Sequence, residues 1–569
     1  MFIGLAVPVV LVVIVVVLLA RRSSGTRAGP AVDAHSVRRF FQYLLLYGLL
    51  IVVAVGLAGL LGRVIDERTL AVQEDVALAR NLAFVVVGVP LYAVVALWSR
   101  RRLVADPTER ESLGWAFYHA AAGLTSLVTA MVSLHQVLSW FIASEPQNRP
   151  ALARFVVWTA VWAAHWWLHR RLLPPARSRL YHLAGSLVGL GVAATGLVGL
   201  FGGAVWSLVF ATSGDLLEVG SQWRAGAVTL LVGAPVWILY WRATALRDQR
   251  DPAWLAYVLL AGVGGGLVVT LVAASSALHT TLVWFLGDPQ ITDASLHFHD
   301  VPLAAAAAAV GLLIWWYHRT VLGEARTVPR TEVQRVYEYL MAGIGLVAAA
   351  VGLTILVAAA AEALTRTRTE LLAGSAVNTL LGAATVLAVG APVWWLYWQR
   401  AQRARESAPA VECSSPTRRT YLVLLLGLGS VTAVVATLVA VYLLFEDAVS
   451  GTVGAPTLRS MRFPLGILLS AGAVAAYHWG VFQGDRPHVL AGGRQRVDRQ
   501  VILVGPPDPD IAGAVANATG FRVQVWQTRD RGAPWSVDEI VAALDAVDAG
   551  DVLVLSEGAG LRTVPVTLP

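Results

Sequence analysis

The sequence predicts an all-α polytopic membrane protein with about thirteen transmembrane helices, followed by a small C-terminal α/β domain. Composition is the first observation: 57% of the 569 residues are hydrophobic, only 14% are charged, and the mean hydropathy is +0.65. Soluble domains carry about 25% charged residues. The second observation is that the apolar residues lie in blocks of about 20 or more, long enough to cross a bilayer. The third is that arginines are concentrated between these blocks.

The first apolar block, residues 1–20, is followed at once by Arg21 and Arg22. A cleaved signal peptide carries its positive charge before the apolar segment and a cleavage site after it. The charge lies on the opposite side here. We therefore expect a retained transmembrane helix whose N-terminus lies outside the cell.

Twelve more apolar blocks follow between residues 38 and 483, and every second connection between them is rich in arginine. The connection between Leu286 and Val301 contains no arginine. Because cytoplasmic loops carry the excess of basic residues, this alternation predicts a multi-pass protein of the cytoplasmic membrane with its C-terminal domain in the cytoplasm. Helix orientation then explains the net charge of +7, and we expect the lipid bilayer rather than nucleic acid as the partner.

The twelve blocks are predicted to form three tandem four-helix repeats at residues 38–175, 179–325 and 335–483. In each repeat the second helix contains a Gly-x-Pro motif, and the fourth helix ends in aromatic residues and a histidine. The motif residues are Gly88 and Pro90, then Gly233, Pro235, Trp237 and Trp241, then Gly390, Pro392, Trp394 and Trp398. Self-similarity at a fixed period indicates a repeat architecture. Because each repeat has an even number of helices, the repeats should be parallel, in a ring or a row.

The repeated motif has a structural explanation. A proline within a membrane helix removes one backbone hydrogen bond and kinks the helix. A nearby glycine lets a neighbouring helix approach closely. Tryptophan and tyrosine at the membrane boundary form an aromatic belt. None of these roles requires chemistry.

Five histidines are the candidate ligands of a haem or a metal ion, because paired histidines in membrane helices ligate b-type haem. His169, His318 and His478 recur at the arginine-rich ends of the fourth helices, and His135 and His279 recur near the other ends of third helices. Two ligands of one haem must lie at similar depth, so His135 and His169 cannot form a pair and ligation would have to join separate repeats. Histidines within an aromatic belt are the alternative explanation.

Other chemistry is not indicated by the sequence. It contains no Walker loop, no HExxH and no GxSxG, so we predict no catalytic residues, no metal site and no cofactor. The single cysteine, Cys413, excludes an intrachain disulfide and a CxxC redox motif. We expect it to be an incidental residue of a polar connection.

The composition changes after Gly484. Residues 485–498 are predicted as a basic linker and residues 499–569 as a cytoplasmic α/β domain with the element order β-α-β-α-β-β. A phosphate-binding loop needs several backbone N–H groups, whereas the loop after the first strand contains Pro506, Pro507 and Asp508. We therefore expect residues 499–569 to dock a protein partner.

The hairpins combine Gly-x-Pro-x-Trp in one half with an aromatic-His-Arg ending in the other, and they resemble bacterial multi-pass membrane repeats described as a domain of unknown function. The resemblance covers residues 38–483 and implies the architecture without any activity or site. A non-enzymatic envelope scaffold, sensor or complex subunit is the favoured function. The alternatives are a transporter or channel for an uncharged or amphipathic solute, which needs no buried charge, and a haem-bearing electron carrier.

Overall fold

A computed structural model describes most of the chain. The described residues are 34–66, 74–142, 146–210, 221–247, 250–323, 330–365, 376–497, 500–508, 510–528, 535–547, 551–557 and 560–566. The predicted transmembrane helix at residues 1–20 lies outside these ranges. The chain divides into two compact units, Met1–Ala325 and Arg326–Pro569.

The first unit contains two four-helix copies. Copy 1 consists of α1 Ala34–Ile65, α2 Glu74–Ala105, α3 Leu113–Ile142 and α4 Arg149–Leu172. Copy 2 consists of α5 Pro175–Phe210, α6 Ser221–Trp237, α7 Pro252–Leu286 and α8 Val301–Leu322. Two π-helical stretches belong to copy 2, Ile238–Arg242 directly after α6 and Tyr257–Gly264 within α7. The first begins three residues after Pro235, which removes a backbone donor from the helix.

The second unit contains copy 3 and the C-terminal domain. Copy 3 consists of α9 Glu332–Thr365, α10 Ala376–Ser407, α11 Pro416–Val449 and α12 Arg462–Val497. A short helix, Pro409–Ser414, connects α10 to α11 and is called the linking helix below.

Eleven helices within the described ranges are long and apolar enough to cross a membrane. They are all the helices of the three copies except α4, whose 24 residues include four arginines. The predicted class, a multi-pass membrane protein built from three four-helix repeats, is therefore confirmed. The α4 helix was also predicted to cross the membrane, but it is too polar to count among these eleven helices.

The helices of each copy pack in the same order. The first helix packs along the second, the third packs along the fourth, and the fourth packs against the first. This order holds for α1–α4, for α5–α8 and for α9–α12. Each copy is therefore a bundle in which the first and fourth helices join two hairpins.

Glycine sets the distance between the first and second helices in two of the copies. A Cβ atom on Gly233 would lie 2.4 Å from the backbone nitrogen of Ala193 in α5, and one on Gly390 would lie 2.9 Å from that of Ala349 in α9. In copy 1 a Cβ on the equivalent Gly88 would lie 3.1 Å from a side-chain carbon of Val53, and the nearest backbone atom, the nitrogen of Val53, would be 3.9 Å away. The motif glycine therefore permits contact between helix backbones in copies 2 and 3 and a looser contact in copy 1.

The C-terminal domain has the predicted order of elements. They are β1 Gln500–Gly505, α13 Ile511–Thr519, β2 Arg522–Gln527, α14 Val537–Asp545, β3 Asp551–Glu557 and β4 Gly560–Val566. The sheet order is β2-β1-β3-β4, with the first three strands parallel and β4 antiparallel at one edge. Pro565 lies in this edge strand, where its missing N–H is tolerated.

Both helices of this domain pack on one face of the sheet. Val501 and Leu503 of β1 and Val552 and Val554 of β3 form one buried cluster with Ile511, Val515, Ile540 and Leu544 of the helices. Side chains alternate between the faces of a strand, so Val504, Leu555 and Trp526 lie on the opposite face. Strand register places Val504 next to both other residues, and Trp526 is 54% exposed.

The predicted linker at 485–498 is helical as far as Val497, because α12 continues through it. This helix is 36 residues long, well beyond the roughly 20 that cross a bilayer. Only residues 498 and 499 lie between the end of α12 and the start of β1.

Candidate functional site

His318 and His478 occupy equivalent pockets in copies 2 and 3. The Nδ1 of His318 lies 2.9 Å from the carbonyl oxygen of Ile314, and the Nδ1 of His478 lies 2.8 Å from that of Val474. Only an N–H can donate to a carbonyl oxygen, so this contact selects the Nδ1-protonated tautomer. Their rings pack against motif tryptophans, Trp241 at 5.7 Å and Trp398 at 5.3 Å. The tryptophan of the second helix thus packs on the histidine of the fourth.

In copy 1 this position is occupied by His165. Its Nδ1 lies 2.8 Å from the carbonyl oxygen of Val161, and its Nε2 lies 3.0 Å from the hydroxyl oxygen of Tyr118. The Trp-Trp-x-His-Arg pattern aligns His318 with His169. His169 lies one helical turn after His165. The structure shifts the alignment by that turn, because Tyr118, Tyr257 and Tyr421 each contact the histidine of their own copy.

His169 instead belongs to a histidine cluster at the boundary between copies 1 and 2. Its ring lies 6.3 Å from that of His119, 5.2 Å from that of His182 and 4.5 Å from that of Tyr181. His119 also lies 5.9 Å from His165. The sequence did carry a signal for these residues, since the dipeptides Tyr118-His119 and Tyr181-His182 both lie near the arginine-rich ends of their helices.

The two remaining candidates do not join this cluster. His135 lies on α3 with its Nε2 3.1 Å from the hydroxyl of Thr229 in α6, so it connects copies 1 and 2. His279 is half-buried in α7. A further polar contact between helices joins Thr354 of α9 to Ser470 of α12 at 2.7 Å. These contacts hold neighbouring helices together.

His169 and His135 are not placed as axial ligands of a haem in this arrangement. Two axial imidazoles must lie on opposite faces of a flat macrocycle, whereas His169 and His182 contact each other directly at 64° between ring planes. The Nε2 of His135 is already directed at Thr229. Among the residues that the structure describes, no group of three or more His, Cys, Asp or Glu side chains could hold a metal ion.

An ion pair recurs at the arginine-rich end of every copy. In copy 1 the Nε of Arg39 lies 3.1 Å from a carboxylate oxygen of Glu109. In copy 2 Arg179 lies 2.9 Å from Asp251. In copy 3 Arg335 binds one carboxylate oxygen of Glu412 through two nitrogens, at 3.0 and 3.1 Å. Each pair joins the start of the first helix to the connection before the third helix.

The third helix of each copy begins with an N-cap beside this ion pair. Ser112, Asp251 and Ser415 accept hydrogen bonds from backbone N–H groups three residues later. Such a cap satisfies one of the free N–H groups of a helix start. Asp251 is both the cap and the partner of Arg179, whereas copies 1 and 3 use a serine together with a glutamate.

Copy 3 carries a larger charged network at this end. The guanidinium of Arg418 is fully buried and lies 2.6 Å from the carboxylate of Asp485 in α12. Asp485 also accepts a hydrogen bond from Arg405 at 2.7 Å, and Tyr339 lies 2.9 Å from Arg418. A buried guanidinium is tolerated only when its hydrogen bonds are satisfied by partners of this kind. The network connects α9, α10 and α11 to the segment of α12 that leads to the C-terminal domain.

Cys413 lies beside this network in the linking helix and is 1% exposed. Burial, followed by the charge of Asp485, raises the pKa of its thiol. The thiolate is the nucleophile, so we expect iodoacetamide to alkylate Cys413 in native membranes at least about tenfold more slowly than in denatured protein. As a control, Ser414→Cys in a Cys413→Ala background presents an exposed thiol one residue away and should react quickly. Equal native rates for the two thiols would contradict the buried position.

A tryptophan packs at the end of β1, where sheets of this type bind ligands. The strand order reverses between β1 and β3, and ligands bind outside the carboxyl ends of the strands at such a point. There, the indole N–H of Trp535 donates to the carbonyl oxygen of Pro506 at 2.9 Å. A Cβ on Gly505 would lie 2.5 Å from the same indole. The indole therefore occupies the space next to Gly505 at this end of the sheet.

The sequence model of one family, described as Domain of unknown function (DUF5671), matches the chain three times, at residues 39–145, 179–299 and 335–473. The three matches together cover more than half of the chain. The chain belongs to this family. The expected resemblance to a repeat family of unknown function is thereby confirmed. No curated protein and no solved structure matches the chain.

The three DUF5671 matches contain the ion pairs at corresponding positions. They begin at Arg39, Arg179 and Arg335, the arginines of the three pairs, and they include the carboxylate partners and all three Gly-x-Pro motifs. His169, His318 and His478 lie outside the matched residues. The ion pairs therefore lie within the residues matched by DUF5671, as do His135 and His279, whereas His169, His318 and His478 do not.

Proposed function

We propose that the protein is a non-enzymatic membrane scaffold or complex subunit that holds its C-terminal domain at the cytoplasmic surface for a protein partner. The observation that carries the proposal is the path of α12. This helix is continuous from its membrane segment to Val497, with Pro487 inside it, and β1 begins at Gln500. A helix is a stiff spacer, unlike a glycine- and serine-rich linker.

The charged network of copy 3 supports this role. Asp485 is bound by Arg405 and Arg418, which come from different helices, so the emerging part of α12 is held at several points. The arginine-rich ends of the helices face the cytoplasm under the positive-inside rule. The cytoplasmic membrane, with the N-terminus outside and the C-terminal domain inside, is part of the proposal.

The C-terminal domain is better suited to bind a protein than a small molecule. Trp535 packs against the end of β1, where a small molecule would bind, and the sheet face opposite the helices presents Trp526. Exposed tryptophan is enriched in protein interfaces and contributes strongly to their affinity. The described polar contacts between α3 and α6 and between α9 and α12 pair polar side chains of neighbouring helices with each other. They are explained by helix packing, so the transporter alternative stays a prediction.

The test is an affinity isolation of the tagged full chain from cross-linked native membranes. We expect a specific partner that is lost when the chain ends after Val497 and is reduced at least about tenfold by Trp526→Arg, as for a hot-spot residue. The matched control is Asp545→Arg, which adds the same side chain at an exposed position of α14 and should retain the partner. A partner set that is unchanged by the truncation would refute docking through this domain.

A further inference from the structure

The boundary between copies 1 and 2 is an interface between unlike faces. The third helix of copy 1, α3, packs against α5 and α6, the first and second helices of copy 2. On α3 the contacting residues include Leu124, Leu127 and Met131, which are between 3% and 7% exposed. Tyr181 on α5 and Val232 on α6 are similarly buried, at 2% and 3%.

On the third helix of copy 3 the same positions are exposed. The N-cap and the tyrosine that contacts the histidine align Tyr118 of α3 with Tyr421 of α11. The α3 interface then corresponds to a stripe on α11, called the tail face: Val423, Gly427, Ser430, Val434, Thr437 and Val441. Every residue of this stripe is exposed, and Val434 is 59% exposed where its counterpart Met131 is 7% exposed.

On the first and second helices of copy 1 the complementary positions are exposed as well. The ion-pair arginines align Tyr181 with Phe41, and the Gly-x-Pro motifs align Val232 with Val87. The face of α1 and α2 that results is called the head face: Phe41, Leu44, Gly48, Val87, Leu91 and Val94. Phe41 is 63% exposed and Val87 is 57% exposed, against 2% and 3% for their counterparts in copy 2.

Exposed apolar side chains are ordinary in a membrane protein, where they contact lipid. These two faces differ from the rest of the surface because the same positions form a buried interface between copies 1 and 2. Interfaces between unlike faces leave one face of each kind free and assemble head to tail into rings or open chains. A second copy of the chain presents the required partner face at the same depth in the bilayer.

We propose that the protein self-associates head to tail in the membrane, with the tail face on α11 of one chain packed against the head face on α1 and α2 of the next. The new interface repeats the α3 contact with α5 and α6. It does not depend on the C-terminal domain, so truncation after Val497 leaves it intact.

Disulfide cross-linking in native membranes tests the proposal in a Cys413→Ala background. A Cβ on Gly123 of α3 would lie 2.6 Å from the ring of Tyr181, and the equivalent pair at the proposed interface is Leu426 and Phe41. With copper phenanthroline, the chain carrying Phe41→Cys and Leu426→Cys should form dimers and a ladder of higher species. Co-expressed chains with different tags, one carrying each single substitution, should give one heterodimer band and no ladder.

Two controls define the result. Gly123→Cys with Tyr181→Cys should link within one chain, because the structure shows that contact directly. Phe41→Cys with Leu428→Cys places the thiol at similar depth on a different side of α11 and should give no dimer. The proposal is overturned if the Phe41/Leu426 pair links only within one chain, which would mean that the copies close a ring by themselves. It is equally overturned if that pair stays unlinked while the Gly123/Tyr181 control links, which would leave both faces to lipid.

Discussion

Arg418→Leu is expected to lower the free energy of unfolding of the membrane part by about 3–5 kcal/mol, the cost of leaving a buried charge without its partner. Asp485 is 5% exposed, and Arg418 provides its bond of 2.6 Å. Without Arg418, Asp485 retains Arg405, which is 28% exposed and therefore more weakly held. Thermal unfolding in detergent micelles, followed by tryptophan fluorescence, measures the change.

The neighbouring arginine gives a matched control. Arg419 follows directly in α11 and is exposed, so Arg419→Leu should change stability by less than about 0.5 kcal/mol. The double substitution Arg418→Leu with Asp485→Leu should recover much of the lost stability, because an apolar pair replaces a buried ionic pair at little cost. If the double variant is as unstable as the single variant, the unpaired charge is not the cause.

Gly233→Ala is expected to destabilise the protein by about 1–3 kcal/mol, the usual cost of overpacking, even though alanine is the better helix former. Its Cβ would lie 2.4 Å from the backbone nitrogen of Ala193, and a backbone atom cannot move aside as a side chain does. The helices α5 and α6 would have to separate along their length. Gly189, Gly196 and Gly226 make similar backbone contacts between the same helices, so the separation would disturb several contacts at once.

Gly88→Ala is the control for this prediction. It lies at the same motif position in copy 1, but the nearest atom to its added Cβ is a side-chain methyl of Val53 at 3.1 Å. A shift of a few tenths of an ångström relieves this contact. We expect a change within about 1 kcal/mol of zero, with the gain in helix propensity offsetting the contact. Equal destabilisation by both substitutions would show that the two glycines serve the same role despite their different surroundings.

The local features of the chain were predictable from sequence because each depends on a short segment. The thickness of the bilayer sets the length of a transmembrane helix, and arginines favour the cytoplasmic loops. The blocks of apolar residues therefore predicted the helices of all three copies. The order of elements in the C-terminal domain followed from short runs such as Val501 to Val504 and from the N-cap Ser536 before α14. The α4 helix was less clear because its tryptophans, histidines and arginines dilute its apolar character.

The candidate site was predicted only in part, because its geometry depends on contacts between distant segments. The pattern around His169 indicated the pocket that His165 occupies, since a helical turn of difference is invisible in a short motif. The ion pairs were missed because Arg335 and Glu412 are 77 residues apart. A signal was nevertheless present, since an acidic residue precedes every third helix at Glu109, Asp251 and Glu412.

The sequence by itself determined that this protein crosses a membrane many times, that it is built from three similar four-helix copies and that it ends in a small α/β domain. Hydropathy and periodicity are properties of short segments, so they can be read from the sequence without knowledge of the fold. The tertiary structure alone decided which glycines contact a backbone, which histidines meet, and that Arg418 is paired while fully buried. Burial and pairing are properties of two surfaces brought together, so no single segment of the sequence contains them.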